Sequence, residues 1–179
     1  VDFTLGDGVE NLQLRGSART GIGNGLDNLV TGNSKANELA GGGGNDTLDG
    51  GAGDDSFYFG DLPGRQLYLQ PGDSLHDDGA DAFVGGAGVD TYVMPTWLAD
   101  DGGWEESWYE SIGVRADLGA GTVSYGLAGI SADRLVSIEN IVSGSADDVV
   151  RGSGGANRVG GGGGHNVARG LGGGRGVGG

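Results

Sequence analysis

The chain has 179 residues, of which 44 are glycine, three are proline and none is cysteine, and its formal net charge is −15. Such a glycine content, against about 7% in average proteins, occurs in disordered chains and in repeat proteins. The missing cysteines exclude a disulfide framework and a thiolate zinc site. No apolar run approaches the roughly 18 residues of a membrane-spanning helix, so we expect no membrane span.

The charges are distributed unevenly along the chain. All 25 acidic residues lie before residue 149, whereas four of the ten basic residues follow it. Because an acidic surface repels the phosphate backbone, we expect no nucleic acid partner. A cation is the natural ligand of the acidic part.

A longer motif occurs twice. Residues 9–18 have the sequence VENLQLRGSA and residues 138–146 have the sequence IENIVSGSA. Both stretches lead into arrays of short repeats, so we predict two modules, residues 1–93 and 114–179, each with an opening strand that caps it. We interpret Glu10 and Glu139 as residues of these caps.

Glycines recur in a nine-residue pattern. Residues 41–49, 50–58 and 85–93 have the sequences GGGGNDTLD, GGAGDDSFY and GGAGVDTYV. Looser copies begin at Ile22, Gly32, His76, Ser143, Gly152, Gly161 and Gly170. Position 8 is apolar in all ten copies of a chain that is 36% apolar, so the alignment is not a chance result. Thr31 is then one inserted residue between the first two copies.

Each copy predicts a glycine turn followed by a very short strand. Glycines at positions 1, 2 and 4 permit positive φ angles, and the acid or amide at position 6 closes the turn. The triplet that follows places one side chain inward. Because one unit cannot bury a core alone, we predict an all-β solenoid of stacked units.

The pattern G-G-x-G-x-D-x-apolar-x resembles the calcium-binding repeat of RTX, or hemolysin-type, proteins. The resemblance implies a right-handed parallel β-roll with irregular inserts, in which two units make one turn. It also implies that position-6 residues two units apart share Ca²⁺ with loop carbonyl groups, and hard oxygen ligands of this kind suit Ca²⁺. The implied metal site residues are Asp27, Asp46, Asp55, Asp81, Asp90, Asp148, Asn37, Gly23, Gly25, Gly42, Gly44, Gly51, Gly53, Gly86 and Gly88.

On this resemblance the metal sites lie along the two edges of the roll. One edge stacks Asp27, Asp46 and Asp81, and the other stacks Asn37, Asp55 and Asp90, provided that residues 59–75 bulge out as a loop. In the second module, Asp148 faces Asn166. Asn157 faces Arg175, and we expect no metal there; we interpret His165 as an exposed loop residue.

We expect calcium to be structural. Ordering glycine costs about 0.5–1 kcal/mol more than ordering alanine, one inward side chain per unit returns little, and stacked carboxylates repel each other. We therefore expect a disordered metal-free chain that folds at millimolar calcium. Extracellular modules bind calcium at about 10⁻⁴–10⁻³ M, which indicates a secreted protein. The resemblance implies secretion by a type I exporter. The N-terminal residues lack an initiator methionine and a signal peptide, which suggests that the chain is a piece of a longer protein.

Residues 94–113 form an insert rich in tryptophan and acids, with Trp97, Trp104 and Trp108. We expect these rings to pack on the flank of the roll, and a sugar-binding face is the alternative. H-E-x-x-H, G-x-S-x-G and a cysteine nucleophile are absent from the sequence, so we expect no enzyme.

Three functions remain open. The first is a calcium-binding structural module of a secreted protein. The second is a carbohydrate-binding or adhesin module that contacts a cell-surface glycan. The third is an accessory domain of an RTX enzyme that contacts another domain of the parent protein, with the catalytic domain outside this chain.

Overall fold

The computed structural model describes residues 2–59, 79–94, 113–126, 131–144, 146–170 and 177–178, and within them the chain forms strands and no helix. The strands are β1 (Asp2–Thr4), β2 (Asn11–Gln13), β3 (Thr20–Ile22), β4 (Leu29–Thr31), β5 (Glu38–Ala40), β6 (Thr47–Asp49), β7 (Ser56–Tyr58), β8 (Ala82–Val84), β9 (Thr91–Val93), β10 (Val114–Asp117), β11 (Thr122–Tyr125), β12 (Asp133–Val136), β13 (Asn140–Val142), β14 (Val149–Arg151), β15 (Arg158–Gly160), β16 (Val167–Arg169) and β17 (Val177–Gly178). No helix in the described part of the chain is long and apolar enough to cross a bilayer.

The strands make two sheets. The first sheet has the order β1-β3-β5-β7-β9-β13-β15-β17, and the second has the order β16-β14-β10-β11-β12-β8-β6-β4-β2. Up to β9, consecutive strands alternate between the sheets, and each strand pairs in parallel with the next strand but one. Val30 pairs with Leu48 and Leu39 with Phe57, which are 18 residues apart. Two nine-residue units therefore make one turn, and the predicted all-β parallel roll is confirmed.

The predicted register of the first repeat is wrong by one residue. We placed Leu29 at the inward position, but Leu29 is 44% exposed and Val30 is fully buried. Val30, not Leu29, pairs with Leu48. The unit therefore comprises residues 23–31, and Thr31 is its ninth residue and not an insertion. Because Leu29 and Val30 are both apolar, position 8 is apolar in either alignment, and the apolar pattern does not distinguish the two.

The stack continues across residues 60–78, which lie outside the described residues. Leu48 in β6 pairs directly with Phe83 in β8, and Phe57 in β7 pairs directly with Tyr92 in β9. The chain between these strands therefore interrupts neither sheet. Phe59, which we assigned to the loop, is buried, and its N–H donates to Val93 O (3.1 Å).

The second sheet contains an antiparallel meander. β12 pairs in parallel with β8, β11 pairs antiparallel with both β12 and β10, and β10 pairs in parallel with β14. In the first sheet, β13 lies between β9 and β15. Both sheets thus run from residues 1–93 into residues 114–170. The capping role predicted for residues 138–146 is wrong, because β13 has a neighbour on each side; β2 does lie at an end of its sheet.

The core lies between the two sheets and consists mainly of position-8 side chains. Leu48, Phe83 and Val150 of the second sheet and Phe57, Tyr92 and Ile141 of the first belong to one buried cluster. The Phe83 ring makes edge-to-face contacts with Phe57 (centroids 5.9 Å apart) and Tyr92 (5.1 Å). The packing holds the turns between strands at two edges, where the polar position-6 residues lie.

Candidate metal centre

The position-6 residues form a hydrogen-bonded ladder at each edge of the roll. In the first ladder, the backbone N–H of each residue donates to a side-chain oxygen in the next turn. The bonds join Asn28 N to Asp46 Oδ1 (2.8 Å), Asp46 N to Asp81 Oδ1 (2.8 Å) and Asp81 N to Asp133 Oδ1 (3.0 Å). The predicted neighbours Asp46 and Asp81 are thus brought together, because β6 and β8 pair.

The second ladder has the same construction at the opposite edge. Asn37 N donates to Asp55 Oδ1 (2.7 Å), Asp55 N to Asp90 Oδ1 (2.8 Å) and Asp90 N to Glu139 Oε2 (2.9 Å). The predicted stack of Asn37, Asp55 and Asp90 is confirmed as an arrangement. Its role in metal binding stays a prediction.

Asp27 does not belong to the first ladder. The corrected register puts Asn28 at position 6, where Asn28 is buried, and puts Asp27 at position 5, where it is exposed. The Oδ1 atom of Asp27 accepts hydrogen bonds from the backbone N (2.7 Å) and Nδ2 (3.3 Å) of Asn45. Gly23 and Gly25 likewise shift to positions 1 and 3, and neither has a positive φ. The predicted stack of Asp27 on Asp46 is therefore wrong.

Two ladder residues were missed by the sequence analysis. Glu139 and Asp133 each occupy position 6 of a unit that lacks the glycine pattern G-G-x-G, and the unit of Glu139, residues 134–142, contains no glycine at all. The unit of Glu139 nevertheless has a left-handed residue, Ser137 with φ 52°, at the position that Gly88 has in the preceding turn. The available signal was an acid two residues before a buried apolar side chain, as in Glu139 before Ile141.

Among the residues that the structure describes, three aspartates each have one buried oxygen without a hydrogen-bond partner. These atoms are the Oδ2 atoms of Asp46, Asp55 and Asp90. Each lies against the first glycine of its own unit: a Cβ would be 1.9 Å from Oδ2 at Gly41, 2.3 Å at Gly50 and 2.4 Å at Gly85. A buried carboxylate oxygen without a partner raises the free energy of the folded state, so a positively charged partner at these atoms would stabilise the fold.

The glycine turns beside these aspartates have the predicted backbone conformation. Positions 2 and 4 have positive φ in all three units, with values of 95° and 105° at Gly42 and Gly44, 91° and 119° at Gly51 and Gly53, and 94° and 150° at Gly86 and Gly88. Only glycine adopts these angles without strain.

The donor set fits a hard cation. A Cβ on Gly85 would meet Ser137 O at 2.2 Å as well as Asp90 Oδ2, so a carbonyl oxygen and a carboxylate oxygen lie against the same glycine. Among the described residues, no three histidine, cysteine or acidic side chains form a metal-ligand cluster. The available ligands are carboxylates and backbone carbonyl groups in glycine turns, and Ca²⁺ binds ligands of both kinds.

Two other position-6 aspartates have hydroxyl partners for their second oxygen. The Tyr125 hydroxyl donates to Asp133 Oδ2, and the Ser143 hydroxyl donates to Asp148 Oδ2. Burial, with Tyr92 and Asp133 nearby, raises the pKa of Tyr125 well above its usual range, so the hydroxyl remains a donor. These two oxygens need no cation.

Asp148 lies in a third, shorter ladder, which is on the same edge of the roll as the first ladder. Val114 N donates to Asp148 Oδ1 (2.8 Å), and Asp148 N donates to Asn166 Oδ1 (3.0 Å), so the predicted pair of Asp148 and Asn166 is confirmed. His165 is exposed, as predicted. Arg175, predicted to face Asn157, and the insert with Trp97, Trp104 and Trp108 lie outside the described residues.

Burial raises the pKa of the aspartates that carry the unpaired oxygens. The pKa values of Asp46 and Asp55 rise from the usual 3.8 to about 6, chiefly because burial disfavours the charged form, and that of Asp90 also rises. Hydrogen bonds from the backbone of Asn28 and Asn37 oppose the effect at Asp46 and Asp55. Without a cation, a proton is the partner that these sites favour.

We therefore expect acid to stabilise the metal-free chain. The folded state binds more protons than the unfolded state, so the stabilisation is complete below the unfolded pKa of 3.8 and is lost as pH rises through about 6. In EDTA, the β signal in far-UV circular dichroism should be stronger at about pH 4.5 than at about pH 7.5. A signal that weakens on acidification would contradict the raised pKa values.

Comparison with known families identifies the repeats. The family model for the RTX calcium-binding nonapeptide repeat matches residues 22–61 and 137–168 in four copies, about two fifths of the chain. The second matched range includes Glu139, the ladder residue that the sequence analysis assigned to a cap. A search of curated proteins gave no match.

Proposed function

The chain is an RTX-type calcium-binding repeat protein, and from this premise we propose that Ca²⁺ folds it into a structural module of a secreted protein. In this proposal the chain is unfolded inside the cell and becomes ordered when it meets calcium outside. The module is not an enzyme, and any catalysis belongs to other parts of the parent protein.

The observation that carries the proposal is the set of buried, unpartnered oxygens of Asp46, Asp55 and Asp90. These aspartates, with carbonyl groups of the glycine turns, would hold the metal. When bound, Ca²⁺ supplies the positive charge that these carboxylates lack. The side chains themselves link adjacent turns, because each also accepts a hydrogen bond from the preceding turn, so charge neutralisation at the ladders strengthens the stack as a whole.

The composition of the core supports a requirement for metal. Each unit contributes one inward side chain, worth about 1.5–3 kcal/mol on burial, while ordering its glycines is costly. A ligand that binds only the folded state adds about 2.7 kcal/mol at a hundredfold excess over its Kd. Several such contributions are enough to decide whether a marginal roll folds.

The typical affinity of extracellular calcium modules supports the secreted location. Such modules bind at about 10⁻⁴–10⁻³ M. Sites in this range stay empty in the cytosol and fill outside the cell. A chain that remains unfolded until export suits a secretion channel that threads unfolded protein.

The test is far-UV circular dichroism of the chain with EDTA and then with increasing calcium at neutral pH. We expect a disordered spectrum in EDTA, a cooperative change to a β spectrum at millimolar calcium, and reversal by chelator. Magnesium is the control and should be much less effective, because it demands a tighter octahedral site. A β spectrum that neither calcium nor EDTA changes would refute the proposal.

A further inference from the structure

Units with asparagine at position 6 close their turns by internal hydrogen bonds. Asn28 Oδ1 accepts from Asn24 N (2.7 Å), and Asn37 Oδ1 accepts from Asn33 N (2.8 Å). The Nδ2 atoms donate to carbonyls of the preceding turn, from Asn28 to Val9 O (3.4 Å) and from Asn37 to Ala18 O (3.2 Å). Both ends of each amide are therefore partnered.

Asn157 repeats this arrangement near the other end of the roll. Its Oδ1 accepts from Ser153 N (2.7 Å), and its Nδ2 donates to Glu139 O (2.9 Å). Position 2 of these units is Asn24, Asn33 or Ser153, none of which has a positive φ. The turn conformation thus follows the residue pair at positions 2 and 6.

Asn166 gives the closest comparison with the aspartates. Its Oδ1 accepts from the neighbouring turn, as Asp46 Oδ1 does, and position 4 is again a left-handed glycine, Gly164 with φ 78°. A Cβ on Gly161 would lie 2.5 Å from Asn166 Nδ2, just as one on Gly41 would lie 1.9 Å from Asp46 Oδ2. The two atoms occupy equivalent places, but Asn166 Nδ2 donates to Gly163 O (2.9 Å).

Asparagine and aspartate have nearly the same shape and differ in this one atom. The amide nitrogen carries two donors, whereas the carboxylate oxygen carries negative charge and only accepts. At Asn166 the atom finds an acceptor within its own turn, and at Asp46 the equivalent oxygen has no donor. The amide therefore satisfies the turn without an ion.

We propose that asparagine at position 6 is a built-in replacement for the cation. Units with Asn28, Asn37, Asn157 or Asn166 then close without metal, and the calcium requirement of the described roll comes from Asp46, Asp55 and Asp90. The inference rests on the proposed function. It adds which turns need the ion and which residue type removes the need.

The order of the units along the roll agrees with this division. The asparagine units 23–31 and 32–40 precede the unpaired aspartates, and the asparagine units 152–160 and 161–169 follow them. Between the unpaired aspartates and the second group, hydroxyls satisfy Asp133 and Asp148. The turns that need metal are thus flanked on both sides by turns closed by side chains.

The test converts the three aspartates to the amide. We expect the triple variant Asp46→Asn, Asp55→Asn, Asp90→Asn to show, in EDTA, the β spectrum that the wild type shows only with calcium. Calcium should change its spectrum and its melting temperature far less than it changes those of the wild type, and isothermal titration calorimetry should register fewer bound ions than in the wild type.

Two control variants separate the amide from the loss of charge. The triple variant Asp46→Ala, Asp55→Ala, Asp90→Ala also removes three charges but supplies no donor, and it should stay unfolded in EDTA. Asp7→Asn changes an exposed acid outside the ladders and should keep the wild-type calcium response. If the alanine variant folds in EDTA as well as the asparagine variant does, charge repulsion alone explains the requirement and the inference is wrong.

The remaining outcomes distinguish the two proposals. If the wild type shows no response to calcium, the proposed function fails. If the wild type responds but the asparagine variant is unfolded in EDTA, with or without a response to calcium, the proposed function stands and the amide replacement is refuted.

Discussion

Replacing Phe83 with alanine is expected to lower the free energy of unfolding of the calcium-loaded chain by about 3–5 kcal/mol. Phe83 is fully buried at the middle of the stack, and its ring contacts those of Phe57 and Tyr92 from the opposite sheet. The roll is too thin to fill the resulting cavity, since each unit contributes one large inward side chain. The loss should therefore fall near the upper end of this range.

Urea unfolding at saturating calcium measures the effect. Leu29→Ala is the control, because Leu29 is also a large apolar residue of a strand but is 44% exposed. We expect its cost to stay within about 0.5 kcal/mol, as for surface substitutions elsewhere. A cost for Leu29→Ala that approached that of Phe83→Ala would favour the register in which Leu29 points inward, and would contradict the fold.

The sequence predicted the roll because the fold is as periodic as the chain. A spacing of 18 residues between paired strands follows directly from two nine-residue units per turn, and position 8 recurs as Leu48, Phe57, Phe83 and Tyr92. The first unit was misaligned because Leu29 and Val30 are both apolar. Strict counting back from Gly41 would have given residues 23–31, since the units that follow contain no insertion before residue 58.

The meander was not predictable from the repeat. β10, β11 and β12 lie in a region without the glycine pattern. They pair antiparallel with one another and fill the space between β8 and β14 in the second sheet. Asp133 and Glu139 reach the ladders only through this pairing and that of β13. Their position in the ladders therefore depends on these strand pairings, whereas the role of Asp46 or Asp55 is visible in the local glycine motif.

The difference between aspartate and asparagine turns also escaped the sequence analysis. We predicted Asn37 as a metal ligand in the same stack as Asp55 and Asp90. The structure gives the two units different backbone conformations, with positive φ at Gly51 and Gly53 and none at Asn33 and Lys35. An oxygen of the position-6 side chain lies against the first glycine in both units, but Asn37 Oδ1 accepts from Asn33 N, whereas Asp55 Oδ2 has no donor.

Replacing Gly44 with alanine is expected to lower the free energy of unfolding of the calcium-loaded chain by about 2–4 kcal/mol. Gly44 has a φ of 105°, an angle that alanine adopts only with strain. A Cβ would also lie 2.6 Å from the carbonyl carbon of Leu26 and 2.8 Å from Asp27 N, both in the backbone of the preceding turn. Relief of this contact requires the two turns to separate, although the pairing of β4 with β6 holds them together.

The adjacent Gly43 is the matched control for Gly44→Ala. Its φ lies outside the left-handed region, and a Cβ there would have only Gly25 Cα within 4 Å, at 3.9 Å. Gly43→Ala should therefore be neutral, or should stabilise by up to about 1 kcal/mol by restricting the unfolded chain. Urea unfolding compares the two variants, and a calcium titration followed by circular dichroism should show a raised midpoint for Gly44→Ala alone, because its turn leads directly into Asp46. Equal effects of the two substitutions would mean that glycine content as such, and not the left-handed angle at position 4, sets the geometry of the metal turn.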